Sequence, residues 1–128
     1  MKLTIEPERR LVTTIGSGIV TDEEFLRARQ QLLEHPAFDA SFDRIWNFRA
    51  VTESQVSEEI AAQLVANSPN TEKSICRAVV MSERSAPMKD IIDFISRTRR
   101  ANRRIAAFPD LPSAEQWILT ARQDLPSA

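Results

Sequence analysis

The sequence predicts an α/β protein with a mainly parallel sheet, and three observations lead to that prediction. Short apolar runs alternate with amphipathic helical patterns, as they do where crossover helices join parallel strands. Residues 75–81 are apolar almost throughout, which is typical of a strand buried on both faces. The connections contain only a few residues. We therefore expect one domain over residues 1–128. It should contain four helices and a mainly parallel sheet of five strands, the first of which is antiparallel at an edge.

The first two strands are predicted to form a hairpin. Lys2–Glu6 alternates weakly, Pro7 interrupts the pattern, and residues 11–15 are rich in β-branched side chains. Because the connection is short, the first strand should lie antiparallel at an edge of the sheet. Gly16 and Gly18 are expected to end the second strand. They lack the further glycines of a phosphate-binding loop, so a backbone bend is the simpler interpretation.

The first helix has clear signals at both ends. Thr21 and Glu24 form a capping box, and the apolar residues that follow repeat at helical spacing. Pro36 requires the helix to end before it, which places His35 at the helix C-terminus. His35 is the only histidine in the chain. A metal site would need several converging ligands, so a partner for the free helix carbonyl groups is the simpler interpretation.

Residues 42–59 read as a buried strand, a polar turn and the start of a second helix. Asn47 is the polar residue within the strand, and Arg49 stands at its end. Thr52 and Gln55 match a second capping box, which predicts that the hydroxyl groups here are caps and solvated turn residues. This turn is also the most informative place to look for a function.

The second half of the chain completes the alternation of strands and helices. Residues 74–82 predict a central strand, Met88 begins the apolar face of a third helix, and residues 105–108 predict a last strand. Asp110 or Ser113 is expected to cap a final helix. Right-handed crossovers between adjacent strands would place the successive helices on one face of the sheet.

Five arginines follow the third helix, with no acidic residue among them: Arg97, Arg99, Arg100, Arg103 and Arg104. Guanidinium groups bind phosphate, acidic proteins and anionic lipid, so this cluster is a candidate anion or partner patch. The simpler interpretation is a solvated basic helix end, because cations stabilise helix C-termini and no aromatic residues are interleaved. We therefore expect no nucleic acid to bind here.

Composition narrows the classes of function. Seventeen basic and eighteen acidic residues nearly cancel, so no overall field attracts nucleic acid or a membrane surface. No apolar run approaches the roughly 20 residues of a membrane helix, and charges such as Lys2 and Glu6 interrupt any secretion signal. Cys76 is the only cysteine, and we expect it to be buried and reduced in a cytoplasmic protein. We expect no metal and no cofactor.

Several segments together resemble a known family. Residues 18–25, 45–49, 77–80, 105–108 and 114–118 look like those of the small bacterial STAS-type proteins called SpoIIAA-like. The resemblance covers nearly the whole chain. It implies a β-α superhelical domain that is shared with anti-sigma-factor antagonists and, more distantly, with CRAL-TRIO lipid-transfer domains. A shared fold does not confer a shared function.

The resemblance also suggests a phosphorylation switch. In the antagonists, a serine or threonine within an Asp-Ser-Ser/Thr-Gly-like motif at a helix start accepts phosphate. The matching residues make Thr52 and Ser54 the candidate phospho-acceptors, at a helix N-terminus whose amide groups would stabilise the phosphate. The Asp-Ser-Gly pattern is absent here, and Glu53 would repel a neighbouring phosphate. Asn47 stands where the relatives often carry an aspartate.

Three classes of function follow from these observations. The leading hypothesis is a non-enzymatic interaction or regulatory module that binds a protein partner through the turn around Thr52. The alternative is a domain that binds a small apolar ligand or a lipid, suggested by the distant lipid-transfer relationship. An enzyme is the third class, since Ser54, Glu53 and His35 could form a hydrolytic set if the fold brought them together. The predicted edge strand is also compatible with a homodimer.

Overall fold

The computed structural model describes residues 1–39, 41–57, 59–60, 76–81 and 104–124. Five strands within these residues form one sheet, in the order β1-β2-β3-β4-β5. They are β1 (Lys2–Glu6), β2 (Leu11–Thr21), β3 (Asp43–Gln55), β4 (Cys76–Val80) and β5 (Arg104–Phe108). β1 is antiparallel to β2, and the other neighbouring pairs are parallel. The predicted α/β class, with a mainly parallel sheet and an antiparallel edge strand, is confirmed.

Two α-helices lie within the described residues, α1 (Asp22–Glu34) and α2 (Leu111–Asp124). A 3-10 turn over Pro7–Arg9 joins β1 to β2. The first and last of the four predicted helices are therefore confirmed. Residues 59–60 are helical, whereas residues 53–57, at the predicted start of the second helix, are strand or irregular. The predicted second helix beyond residue 60 and the whole of the third lie outside the described residues.

Helix α1 begins and ends where its sequence signals predict. The Thr21 hydroxyl accepts a hydrogen bond from the Glu24 amide at 3.2 Å, which satisfies one of the free amide groups of the first turn. His35 is the first residue beyond the helix, and its amide donates to the Leu32 carbonyl at 3.2 Å. Pro36 follows directly and cannot continue the helix.

Helix α2 begins at Leu111 and is capped by Asp110. The Asp110 carboxylate accepts from the Ser113 amide at 2.8 Å, so Asp110 is the cap and Ser113 is not. Pro112 lies in the first turn, where its missing amide hydrogen costs nothing. The buried side of this helix places Ala114, Ile118 and Ala121 in the core.

The two helices cover opposite faces of the sheet. The prediction that successive helices share one face is therefore wrong for α2, which follows the last strand and is not part of a crossover connection. The face beneath α2 packs a cluster of buried residues that includes Leu11, Ile45, Cys76, Ala78 and Val80. The face beneath α1 packs Val20, Phe48, Val51 and Val79, with Phe25 of the helix against them. Complete burial of an aliphatic or phenylalanine side chain stabilises a fold by about 1.5–3 kcal/mol. Cys76 is 1% exposed, which confirms its prediction as a buried residue.

The prediction that two glycines end β2 is wrong, because the strand runs through both of them to Thr21. A Cβ atom on Gly16 would lie 3.0 Å from a ring carbon of Phe48, so the glycine makes room for that ring. Gly18 has a φ of +62°, which L side chains rarely adopt. Both glycines therefore serve the packing and bending of a continuing strand.

The predicted turn after Arg49 is also wrong. β3 continues to Gln55, whose partner in the ladder is Thr21 at the end of β2. The cap of the helical turn that follows is Ser57, whose hydroxyl accepts from the Ile60 amide at 3.2 Å. Thr52 therefore lies within a strand, because pairing with β2 overrides the local capping signal.

An ion pair holds the amino-terminal edge of the parallel strands. The Asp43 carboxylate accepts from the Cys76 amide at 2.9 Å and from the Arg122 guanidinium at 2.6 Å. Arg122 also donates to the carbonyl groups of Arg9 and Arg10, at 2.8 and 3.0 Å. This arrangement, which we call the Asp43 clasp, joins β3, β4, α2 and the connection before β2.

Candidate functional site

At the carboxyl-terminal edge of the parallel strands, β2 and β3 extend beyond β4. The β3–β4 ladder runs only from Arg44 to Asn47, whereas the β2–β3 ladder continues to Gln55. Among the described residues, the end of β3 therefore has a strand neighbour on one side only. We call residues 50–55 and their partners at 17–21 the projecting ribbon.

One β-bulge lies directly before this ribbon, and a second lies within it. In the first, Phe48 and Arg49 of β3 oppose the single residue Gly16 of β2. In the second, Thr52 is inserted without a counterpart in β2. Bulges bend a strand and redirect side chains, and they are enriched beside functional sites. Arg49 and Thr52, both named from the sequence, are exposed at these two irregularities.

Packing of Phe48 and a hydrogen bond from the Arg49 amide hold the first bulge in place. The Phe48 side chain is 1% exposed, and its ring centroid lies 5.9 Å from that of Phe25 in α1. The Asn47 side-chain oxygen accepts from the Arg49 amide at 3.2 Å. Asn47 thus satisfies a backbone group at the bulge, which gives this half-buried polar residue a structural role.

The two candidate phospho-acceptors occupy different environments. The Thr52 side chain is exposed. Ser54 is half-buried, and its hydroxyl accepts from the Val56 amide at 3.4 Å. The expected position at a helix N-terminus is wrong for both, since both lie in β3. Beyond the strand, the Ser57 amide donates to the Asp22 carboxylate at 2.7 Å, so it does not face either hydroxyl group as a helix N-terminal amide would.

Charged and apolar side chains are both exposed on the ribbon and directly before it. Ile19 is 50% exposed and lies opposite Glu53 in the ladder. We call Ile19, Arg49, Thr52 and Glu53 the edge surface. It combines one apolar side chain, one hydroxyl group and charges of both signs, which is the composition of a protein-binding surface more than of a catalytic centre.

Arg49 also influences the start of α2. The pKa of Asp110 is lowered mainly by hydrogen bonds from the Ser113 amide and hydroxyl, and the positive charge of Arg49 lowers it further. Arg49 and the capped helix end therefore lie at the same edge of the sheet. The edge surface borders a fixed helix terminus on this side.

The arginine cluster lies mostly outside the described residues, where Arg97, Arg99, Arg100 and Arg103 fall. Arg104 is the first residue of β5, and its partner in the ladder is Cys76 at the start of β4. It therefore belongs to the amino-terminal edge of the sheet. The edge surface lies at the opposite end of the strands.

The hydrolytic set considered from the sequence does not form. Ser54 lies beside the start of α1, because its neighbour Gln55 pairs with Thr21. His35 follows the other end of this helix of 13 residues, about 20 Å away at 1.5 Å per residue. Its ring nitrogen Nδ1 accepts from the Ala37 amide at 3.1 Å, so the histidine stabilises the turn after the helix.

Within the described part of the chain, no group of three or more His, Cys, Asp or Glu residues could hold a metal ion. No helix there is long and apolar enough to span a membrane. A groove of about 230 Å³ lies between α2 and the start of β2, lined by Arg9, Leu11, Glu115, Ile118, Leu119 and Arg122. Small-molecule sites usually enclose about 300–1,000 Å³, and this groove is open and flanked by an ion pair between Arg9 and Glu115 at 3.3 Å.

Sequence reasoning missed the charged residues that the sheet buries. Asp43, Arg44 and Arg77 are all buried at the amino-terminal edge. The Arg44 guanidinium lies over the Phe38 ring, 5.5 Å from its centroid. A signal was present, because charged residues inside otherwise apolar strands must find partners when buried.

Comparisons with protein-family models, with curated proteins and with solved structures gave no match. A function can therefore be argued only from the geometry of this chain. The strongest feature for that purpose is the bulged, exposed end of β3.

Proposed function

We propose that this chain is a non-enzymatic, STAS-like interaction or regulatory module that binds a protein partner through the edge surface. The observation that carries the proposal is the pair of bulges at Arg49 and Thr52. Each bulge departs from a regular ladder and exposes a polar side chain, at a strand end that is otherwise firmly packed. A backbone that is already held in a strand loses little conformational entropy when the side chains on it bind a partner.

The sheet order favours a protein partner over a small molecule. In open α/β sheets, small ligands bind in the crevice where the strand order reverses direction. The five described strands follow one another in sequence order, so they contain no such reversal. Within the described residues, the end of β3 is a strand edge, and strand edges are recognised by other protein chains.

The edge surface has the chemistry of a small protein interface. Ile19 can supply apolar contact at its centre, with Arg49 and Glu53 as charges at its rim. Arginine is one of the residues that dominate the energetics of many interfaces, whereas rim charges chiefly select the partner. A partner with an acidic group opposite Arg49 and a basic group opposite Glu53 would match both.

The finer fold is part of the same proposal. We infer a STAS-like β-α superhelix with four helices. Parallel neighbouring strands need a crossover connection of a dozen residues or more, usually a helix. The parallel pairs β3–β4 and β4–β5 each join strands that are consecutive in sequence, which supports this inference.

Thr52 is the residue through which phosphorylation would regulate the module. Its side chain is exposed, whereas the Ser54 hydroxyl is half-buried and already accepts a hydrogen bond. A phosphate would add a charge of about −1.5 to −2 beside Glu53. That charge would repel an acidic partner and weaken binding at the edge surface.

The test places a photo-crosslinking amino acid at position 52 of the full chain, produced in the cell from which the protein comes. A second chain carries the same amino acid at Glu8, an exposed residue of the 3-10 turn. We expect one protein to crosslink at position 52 and not at position 8, and Arg49→Glu to reduce that product about tenfold. Identical products at both positions, or none at position 52, would contradict the proposal.

Native mass spectrometry of the same preparation separates the competing function. A copurified apolar mass bound to the purified chain would favour the ligand-binding or lipid-binding alternative. Phosphopeptide mapping completes the design. Phosphate at Thr52 of the wild-type chain, with a partner that no longer copurifies with Thr52→Glu but still copurifies with Thr52→Ala, would support the regulatory form of the proposal.

A further inference from the structure

Strand β1 forms an edge of the sheet. Among the described residues its ladder partner is β2 alone, with Lys2 opposite Ile15 and Glu6 opposite Leu11. The backbone groups on its other side point away from the sheet. An edge strand of this kind can add a strand from another chain, which proteins ordinarily prevent with charges, prolines or bulges. β1 is a regular strand with no register shift.

The side chains of β1 are symmetric about its central residue. Lys2, Thr4 and Glu6 share one face of the sheet, and Leu3 and Ile5 share the other, because side chains alternate along a strand. A basic residue therefore lies two positions before Thr4 and an acidic residue two positions after it. The apolar positions on the opposite face have the same symmetry.

We propose that β1 pairs antiparallel with β1 of a second copy of this chain, about a two-fold axis at Thr4. Lys2 then lies opposite the partner's Glu6, and Glu6 lies opposite the partner's Lys2. Thr4 meets the partner's Thr4, and Leu3 meets the partner's Ile5. Opposite charges, paired threonines and paired aliphatic residues are all favourable across antiparallel strands.

This is the only register of the two strands that places Lys2 opposite the partner's Glu6. A shift of two residues places Lys2 opposite a threonine, so both charge pairs are lost. A shift of one residue would place polar residues opposite apolar ones that face the other side of the sheet. The two-fold axis at Thr4 is therefore selected by the side chains of the strand itself.

The charges on this edge do not prevent self-pairing. Two like charges on an edge strand repel a copy of that strand, which is how many proteins avoid such contacts. β1 carries one charge of each sign, so its own copy is complementary to it. The Glu6 carboxylate already accepts from Arg9 at 3.1 Å, but a carboxylate offers about four lone-pair sites and can accept from lysine as well.

Charge reversal tests the register directly by sedimentation equilibrium over a range of concentrations. Lys2→Glu produces a strand with two acidic residues, and Glu6→Lys produces one with two basic residues. We expect each variant alone to dissociate, with a Kd raised about tenfold or more. An equimolar mixture of the two should associate again, and so should the double variant Lys2→Glu/Glu6→Lys. Glu8→Lys makes the same charge change outside β1, and this variant should dimerise with the same Kd as the wild-type chain.

A cysteine at position 4 gives an independent measurement. Directly opposed residues of antiparallel strands have Cα atoms roughly 4.5–5.5 Å apart, within the range of about 4.4–6.8 Å that a disulfide spans. Thr4→Cys should therefore form a disulfide-linked dimer under mild oxidation, and Glu8→Cys should not. The native Cys76 is buried and leaves this readout clear.

Two results would overturn the proposal. One is a wild-type chain that remains monomeric up to millimolar concentration. The other is a dimer whose Kd responds to neither reversal and whose Thr4→Cys variant forms no disulfide. Circular dichroism of each variant separates loss of pairing from loss of folding, and the double reversal keeps the test decisive if a single reversal destabilises the chain.

Discussion

Replacing Asp43 with asparagine should reduce the free energy of unfolding by roughly 2 kcal/mol. The Asp43 side chain is 8% exposed and accepts from the Arg122 guanidinium at 2.6 Å. Asparagine can keep the hydrogen bond from the Cys76 amide but loses the ionic partner. Breaking a fully buried ion pair costs about 3–5 kcal/mol. Arg122 is 31% exposed, so water compensates part of this cost.

Asp43→Ala should be more damaging, at roughly 4 kcal/mol, because it also leaves the buried Cys76 amide without its acceptor. Urea titration followed by tryptophan fluorescence measures both losses, since Trp46 and Trp117 pack against opposite faces of the sheet. The matched control is Glu115→Gln, which removes a more exposed carboxylate from its pair with Arg9. We expect that change to cost less than about 1 kcal/mol.

A double-mutant cycle isolates the pair itself. Asp43→Asn and Arg122→Gln should together cost less than the sum of the single changes, with a coupling of about 1–2 kcal/mol. If the coupling is near zero, or if Asp43→Asn costs no more than the control, the ion pair does not hold this edge of the sheet and the reasoning fails.

Three further predictions follow from the described contacts. Gly16→Ala places a methyl group against the Phe48 ring and should cost about 1–3 kcal/mol in urea titration, so an unchanged midpoint would contradict the packing described. Thr21→Ala removes the cap of α1 and should cost about 1 kcal/mol by the same measurement, while Thr21→Ser should cost little. Asp110→Asn keeps a capping side chain but removes a carboxylate whose pKa is lowered in the folded chain. The ionised form therefore stabilises the fold above the ordinary value of 3.8, and this contribution is lost as the pH falls through the folded pKa. The variant should be less stable than wild type at pH 7 and close to it at pH 2, and a difference that persists at low pH would contradict the titration.

Signals within a few residues of sequence correctly predicted those ends of helices that are determined by interactions between near neighbours in the chain. Thr21 and Pro36 correctly marked the two ends of α1, because capping and proline geometry act within a few residues. The alternation of strands and helices predicted the sheet and its parallel neighbours. The end of β3 was mispredicted because Thr52 and Gln55 satisfy a capping pattern locally, whereas pairing with β2 decides their backbone conformation.

The sequence was enough to name residues of the candidate site, but it was not enough to predict their geometry. Arg49 and Thr52 were named because they follow a buried strand. Their bulges could not be foreseen, because a bulge is a difference in residue count between two paired strands and no pattern in one strand encodes it. Gly16 opposite Phe48 offers a hint of close approach only once the register is known.

The Asp43 clasp has a consequence for the lifetime of the folded chain. Each strand pairs with its neighbour in sequence, but Asp43 and Arg122 are 79 residues apart, and Arg122 reaches Arg9 across 113 residues. Contacts that close such long loops pay a larger entropic cost, so we expect them to form after the folding transition state. Interactions absent from that state govern the unfolding rate and leave the folding rate nearly unchanged. The clasp should therefore act as a kinetic latch, and Asp43→Asn should shorten the life of the native chain without slowing its formation.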